Sequence, residues 1–120
     1  MEEKNILCAA SAYEQKFYFN KIYDRIPTKV KEELQIMCVL YTEDVGGILE
    51  VKFADDGRVL LETRAKDSDI NYDDIGAELL IGRLQEEKEE LFKQLEIFYR
   101  IFVLGETFEE AGGDDTDDDR

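Results

Sequence analysis

The sequence predicts an α+β fold in which a small antiparallel sheet, built in ββαββα order, carries two helices on one face, the second of them long and C-terminal. Three observations predict it: two pairs of strand-forming runs, an Asp-Asp-Gly turn that joins the second pair, and helical spacing of apolar residues after each pair. A chain of 120 residues is large enough for one modest core. We therefore expect a single domain over residues 1–105 and a disordered acidic tail over residues 106–120.

Composition predicts the first two strands. Residues 6–12 are apolar and small, and residues 15–20 are rich in aromatic side chains. β-Branched and aromatic residues favour strands, so the alanines of the first run make it the weaker prediction.

The first helix is predicted to begin near Pro27, because proline suits the first helical turn, where its missing N–H matters least. It runs to the Gly46–Gly47 stop, and its apolar residues follow helical spacing: Val30, Leu34, Met37, Cys38 and Tyr41. The third and fourth strands then follow over residues 48–53 and 59–63. Between them, residues 54–57 (ADDG) favour a hairpin turn in which the glycine is free to take a positive φ.

Charges at both ends of the first helix oppose its macrodipole. Lys29 and Lys31 stand at its positive end, and Glu43 and Asp44 stand at its negative end. In a ββαββα sheet the two helices run parallel, so we expect both lysines to lie beside residues 73–74, which are two aspartates.

That arrangement leaves the two acids at the end of the first helix without an explanation. We therefore take Glu43 and Asp44 as candidate polar contacts to a partner. The alternative is that the helix ends near Tyr41 and that both acids are simply solvated.

The last helix is predicted to run from about residue 70 to 104, beginning near Asp69 or Asn71. Its seam residues recur at alternating spacings of four and three: Ala77, Ile81, Leu84, Lys88, Leu91, Leu95, Phe98 and Phe102. Such a helix spans roughly 50 Å at about 1.5 Å per residue, whereas a compact chain of this length has a radius of gyration of about 14 Å. A seam that overhangs its own domain needs a partner.

We therefore predict a homodimer, or a complex with another protein, through the part of this seam from Leu84 to Phe102. The candidate contact residues there are Leu84, Leu91, Leu95, Phe98 and Phe102. The alternative is a break at Gly76 or Gly82, which leaves a shorter helix over residues 83–104 that packs entirely on its own sheet.

The sequence offers no candidate catalytic residues and no cofactor site. Histidine is absent, there is no GxSxG turn, no GxGxxG and no P-loop, and carboxylate pairs are too frequent to single one out. We expect a protein that is not an enzyme. Cys8 and Cys38 lie in apolar runs without CxxC spacing, which favours buried reduced thiols over a disulfide or a reactive thiol.

One segment imitates a calcium loop. Residues 67–78 place oxygen ligands at loop positions 1, 3, 5, 7 and 12. Tyr72 stands where the sharp turn needs glycine, and Asp74 stands where an apolar residue normally packs. The favoured interpretation is that the aspartates cap the last helix and that no metal binds.

Charge argues against nucleic acid and anionic membranes as default partners. The formal charge is −15; residues 106–120 hold eight acidic residues and one basic residue, a charge of −7, which leaves −8 for the rest. Residues 16–31, however, hold five bases and one acid. With Phe17, Phe19 and Tyr23 between those bases, the alternative function is a single-stranded RNA-binding module. The same basic patch is also a candidate site for an acidic partner, or for the protein's own tail.

The N-terminal sequence has neither a basic region nor an apolar run typical of export, and no run of about 18 apolar residues would span a membrane. We expect a cytoplasmic protein without a membrane partner.

Three segments resemble a family of short proteins of unknown function from Firmicutes: CAASAYEQKFYFN, LQIMCVLYTEDVGGILEV and YRIFVLGE. The resemblance covers residues 5–106. It implies a bacterial, cytoplasmic setting and no known activity, ligand or functional residue. Small acidic α/β dimers also serve as secretion chaperones, a second alternative that rests on fold and charge alone.

Overall fold

Four strands form one antiparallel sheet in a computed structural model, which describes residues 5–106. They are β1 (Ile6–Ser11), β2 (Lys16–Phe19), β3 (Ile48–Phe53) and β4 (Val59–Arg64), in the spatial order β2-β1-β3-β4. The described residues also form three α-helices: α1 (Thr28–Val45), α2 (Asp74–Glu87) and α3 (Glu89–Phe102). The α+β class and the antiparallel sheet are confirmed. A short 3₁₀ helix over Lys21–Tyr23 and the division of the last helix make the order differ from ββαββα.

The β1–β2 hairpin leads directly into the 3₁₀ helix through Asn20. The Asn20 side-chain nitrogen donates a hydrogen bond of 2.7 Å to the Ile6 carbonyl, and its oxygen accepts one of 3.1 Å from the Ile22 N–H. One buried amide therefore ties the end of β2 both to the start of β1 and to the next turn.

Helix α1 buries Leu34, Met37 and Cys38 along one face, as its spacing predicts. It continues through Glu43 and Asp44 to Val45, so the alternative in which it ends near Tyr41 is wrong. Gly46, with φ of 79°, stops it and donates its N–H to the Thr42 carbonyl. Gly47 also has a positive φ, and a Cβ there would lie 2.7 Å from the Arg64 carbonyl oxygen, so only glycine fits.

The predicted hairpin of β3 and β4 is confirmed. Gly57 has a φ of 96° and donates its N–H to the Ala54 carbonyl at 2.9 Å. Along β3, Leu49, Val51 and Phe53 face the helices, because successive residues of a strand point to opposite faces.

The single long C-terminal helix is not observed. The helical region begins at Asp74, where Asp73 is the N-cap and accepts the Gly76 N–H at 3.0 Å, and it is interrupted at Lys88. Helices α2 and α3 each have 14 residues, fewer than the 18 of α1. The predicted break at Gly76 or Gly82 is also wrong, because both glycines lie inside α2.

Lys88 interrupts the helix by its backbone conformation, with φ of −108° and ψ of 24°. Its N–H still bonds to the Leu84 carbonyl, and its own carbonyl accepts the Phe92 N–H, so helical bonding resumes at once. The seam residues stay buried on both sides of the interruption: Leu84 before it and Leu91 after it both lie in the core. Tertiary packing therefore overrides the uninterrupted helical pattern of the sequence.

The core lies between the inward face of the sheet and the three helices. The Phe53 ring of β3 contacts Tyr99 of α3 at a centroid distance of 4.5 Å, and also Tyr23 of the 3₁₀ helix at 5.3 Å. Cys8 and Cys38 are free and buried, as expected. A hydrogen bond with Cys38 and burial in the core raise the pKa of the Cys8 thiol. Among residues 5–106, no helix is both long and apolar enough to cross a bilayer.

Candidate functional site

An apolar groove separates the start of α1 from the second half of α3. Its volume is about 410 Å³. One wall comes from residues 25–30 and the other from residues 94–102, with these lining side chains: Arg25, Ile26, Pro27, Val30, Gln94, Leu95, Ile97, Phe98, Ile101 and Phe102. We call this feature the groove. It is a concave apolar surface, of the kind that takes up side chains of a partner.

Two aromatic rings and one cation shape the mouth of the groove. The Phe98 and Phe102 rings lie 4.7 Å apart between centroids. The Arg25 guanidinium lies 4.7 Å above the Phe102 ring, in a cation–π contact. Phe102 keeps 51% of its surface exposed despite both contacts. The mouth is therefore apolar with a positive rim.

Exposed apolar side chains continue beyond the groove at the end of α3. Val103 and Leu104 are 48% and 44% exposed. Their backbone is held in place, because the Leu104 N–H bonds to the Tyr99 carbonyl and Gly105 takes a positive φ. We call residues 102–104 the ridge. A fixed apolar projection thus stands beside the groove on the same molecule.

The structure places the predicted seam residues in two different environments. Leu84, Leu91 and Leu95 are buried in the core of the chain itself, and Leu95 is only 1% exposed. This is the arrangement in which the seam packs on its own domain. The surface that this seam offers a partner therefore narrows to Phe98, half-buried, and Phe102, half-exposed.

The second pair of predicted contact residues lies on another side of the molecule. Glu43 lines a cleft of about 450 Å³ between α1 and the β1–β2 hairpin, whose lining is mixed polar and apolar and includes Lys16, Phe17 and Val39. Asp44 is exposed but does not line that cleft. Neither acid lies in the groove, so the structure does not bring the two predicted sets together.

The predicted pairing of the helix lysines with the aspartates at the start of α2 is not observed. Lys31 instead forms a 2.7 Å ion pair with Asp24 and lies 5.3 Å above the Phe19 ring. A hydrogen bond from Lys31 lowers the pKa of the Asp24 carboxyl. Asp73 is occupied as the N-cap of α2.

The outer face of the sheet carries an ion-pair network that sequence reasoning missed. Glu50, only 9% exposed, pairs with Arg64 at 2.7 Å and with Lys52 at 3.6 Å. Lys52 also pairs with Glu62 at 2.9 Å, and that hydrogen bond raises the pKa of the Lys52 ammonium. Charged residues at every second position of β3 and β4 were the signal, because they share one face.

The same face argues against stacking of RNA bases. Phe17 and Phe19 point inward and pack against the core, so of the β2 aromatics only Tyr18, 52% exposed, faces outward. The cations Lys52 and Arg64 on that face are already paired with the Glu50 carboxylate.

Side chains of the segment that imitates a calcium loop form hydrogen bonds with other groups of the protein. Asp69 accepts the Tyr13 hydroxyl hydrogen bond at 2.7 Å, and the Tyr13 oxygen accepts the Lys66 N–H at 3.0 Å. Asp73 caps α2, as the favoured interpretation predicts. Within residues 5–106, no group of three or more His, Cys, Asp or Glu side chains is placed to hold a metal ion.

Comparison with known proteins identifies the family. The chain belongs to the Family of unknown function (DUF6145), which matches residues 4–107. No curated protein matches the chain. No solved structure matches it either. The family membership agrees with the resemblance to short proteins of unknown function.

Proposed function

We propose that this member of a family of unknown function is a non-enzymatic protein–protein interaction module that forms a homodimer through the groove and the ridge. One observation carries the proposal: an apolar cavity of about 410 Å³ and an exposed apolar projection lie side by side at one end of the molecule. The resemblance of the sequence to short Firmicutes proteins supports a bacterial, cytoplasmic setting.

A second copy is the occupant that this geometry favours. In a two-fold dimer the same patch faces itself, so the patch must be complementary to itself. A surface that holds both a groove and a ridge satisfies this condition, because the ridge of each copy enters the groove of the other. Phe102 belongs to both features, which would place it at the centre of such an interface, where aromatic residues contribute most.

A stable dimer buries more surface than the groove and the ridge supply. A stable interface buries roughly 800 Å² on each partner, or about 20 residues. The groove and the ridge supply about half of that number, so the interface must include the surface beside them. Ile22, in the 3₁₀ helix that precedes Arg25 in the chain, is 63% exposed and is a candidate for this additional apolar area.

The test is a double substitution on the ridge with a matched control. Phe102→Ser with Leu104→Ser removes two exposed apolar side chains of the proposed interface. Ile75→Ser with Leu79→Ser removes two from α2, where they are 73% and 68% exposed and lie outside it. Sedimentation equilibrium should show that the ridge variant dissociates at least about tenfold more readily, a loss of about 1.4 kcal/mol or more. The α2 variant should keep the dimer constant of the wild type.

Two results would refute this interface. One is a ridge variant that dimerises like the wild type, and the other is dissociation caused by the α2 variant alone. Circular dichroism of both variants shows that any change is not due to unfolding.

A further inference from the structure

A basic surface borders the groove where the 3₁₀ helix turns into α1. Lys21, Arg25 and Lys29 are all exposed there. The nearby Asp24 forms its ion pair with Lys31, and the charge of Lys21 adds a smaller contribution to lowering the pKa of that carboxyl. The N-terminus of α1 adds the partial positive charge of the helix dipole. No acidic residue in its first turn offsets that charge, and its N-cap makes no side-chain hydrogen bond. Residues 21–31 hold four basic residues and one acidic residue, in a chain of charge −15.

The part of the chain beyond the described residues carries the opposite charge. Residues 107–120 hold seven acidic residues and one basic residue. This segment begins after Glu106, whose carboxylate pairs with Arg100 at 2.9 Å. The end of α3 lies against the basic surface, because the Arg25 guanidinium stacks on the Phe102 ring at 4.7 Å. Fourteen residues extend up to roughly 45 Å at about 3.3 Å each, so every cation of the surface is within reach.

We propose that the acidic segment 107–120 binds the basic surface formed by Lys21, Arg25 and Lys29. Each exposed contact is weak, at about 1 kcal/mol or less. Tethering raises the local concentration of the segment to the millimolar range, so several weak contacts suffice to keep the surface occupied. The segment then excludes other polyanions from this basic surface. The proposal does not rest on dimerisation, because the segment reaches the surface of its own chain.

The test is zero-length cross-linking of the full-length protein with a carbodiimide, which joins carboxylates to lysine amines in contact. At low salt, peptide mapping should find the aspartates of residues 114–119 joined to Lys21 and Lys29 about fivefold more often than to Lys66, an exposed lysine just after β4, the edge strand opposite β2. Salt near 1 M shortens the Debye length to about 3 Å and should remove the preference. Equal yields at all three lysines would overturn the proposal, as would a preference that salt leaves unchanged.

A charge-matched pair of variants supplies a second measurement. Replacing Asp114, Asp115, Asp117 and Asp118 with Asn should let a fluorescent single-stranded oligonucleotide bind at low salt. Replacing Glu86, Glu87, Glu89 and Glu90 with Gln changes the net charge equally and should leave binding weak. Equal binding by both variants would show that net charge alone matters and would overturn the proposal. The mass of the cross-linked species is read separately: cross-links within single chains support the proposal even where no dimer exists.

Discussion

At the scale of single residues, Tyr41 shows how one polar group joins three elements. Its hydroxyl lies 3.1 Å from the Thr63 hydroxyl of β4 and 3.3 Å from the Ala77 carbonyl of α2, although the tyrosine itself belongs to α1. Tyr72 hydrogen-bonds to the same threonine. Burial raises the pKa of Tyr41 to about 12. The sequence spacing predicted that Tyr41 faces inward, but not this network, whose members are far apart along the chain.

Substitution of Tyr41 by Phe should cost about 1–2 kcal/mol of unfolding free energy at neutral pH, because it removes the hydrogen bonding of the buried hydroxyl with Thr63 and with the Ala77 carbonyl. The folded pKa of Tyr41, about 12, exceeds the unfolded value of about 10. Its stabilising contribution is therefore fully present below about pH 10 and is lost as the pH rises through about 12. The deficit of the variant should shrink over that range in urea titrations.

Tyr18→Phe is the matched control, since that hydroxyl belongs to a half-exposed side chain. It should leave the unfolding free energy nearly unchanged at every pH. A deficit of the Tyr41 variant that stays constant from about pH 8 to about pH 12 would contradict the assigned pKa.

At the scale of elements, local sequence patterns predicted the structure correctly where residues close together in the chain determine it. The β3–β4 hairpin follows from its Asp-Asp-Gly turn, and α1 ends at Gly46 as predicted. The interruption at Lys88 could not be predicted, because no proline or glycine stands there and the cause is burial on both sides of it. The groove could not be predicted from the sequence either, since its walls are about 70 residues apart along the chain.

The same Leu→Ala substitution should lower the unfolding free energy by different amounts in α2 and α3, depending on whether the leucine is buried. Leu95→Ala in α3 should lower the unfolding free energy by about 2–5 kcal/mol, because Leu95 is 1% exposed and its removal leaves a cavity. Leu79→Ala in α2 should change it by less than about 0.5 kcal/mol, because Leu79 is 68% exposed. Denaturant titration compares the two. Similar costs would mean that Leu95 does not lie in the core of the single chain.

At the scale of the whole molecule, charge and apolar surface are distributed unevenly. The chain is acidic overall, yet the groove, the ridge and the basic surface share one end. Sequence reasoning recognised the basic segment and the apolar α3 residues separately. It did not find that they adjoin, because only the fold brings the start of α1 to the end of α3. The homodimer and the bound acidic segment are two proposals for that one end.

The central claim is a homodimer, and the most direct measurement is the solution mass of the wild-type protein by size-exclusion chromatography with light scattering over a hundredfold dilution range. A homodimer should show twice the chain mass of 13.9 kDa at high concentration, decreasing towards 13.9 kDa only on dilution. A mass of 13.9 kDa at every concentration would contradict it.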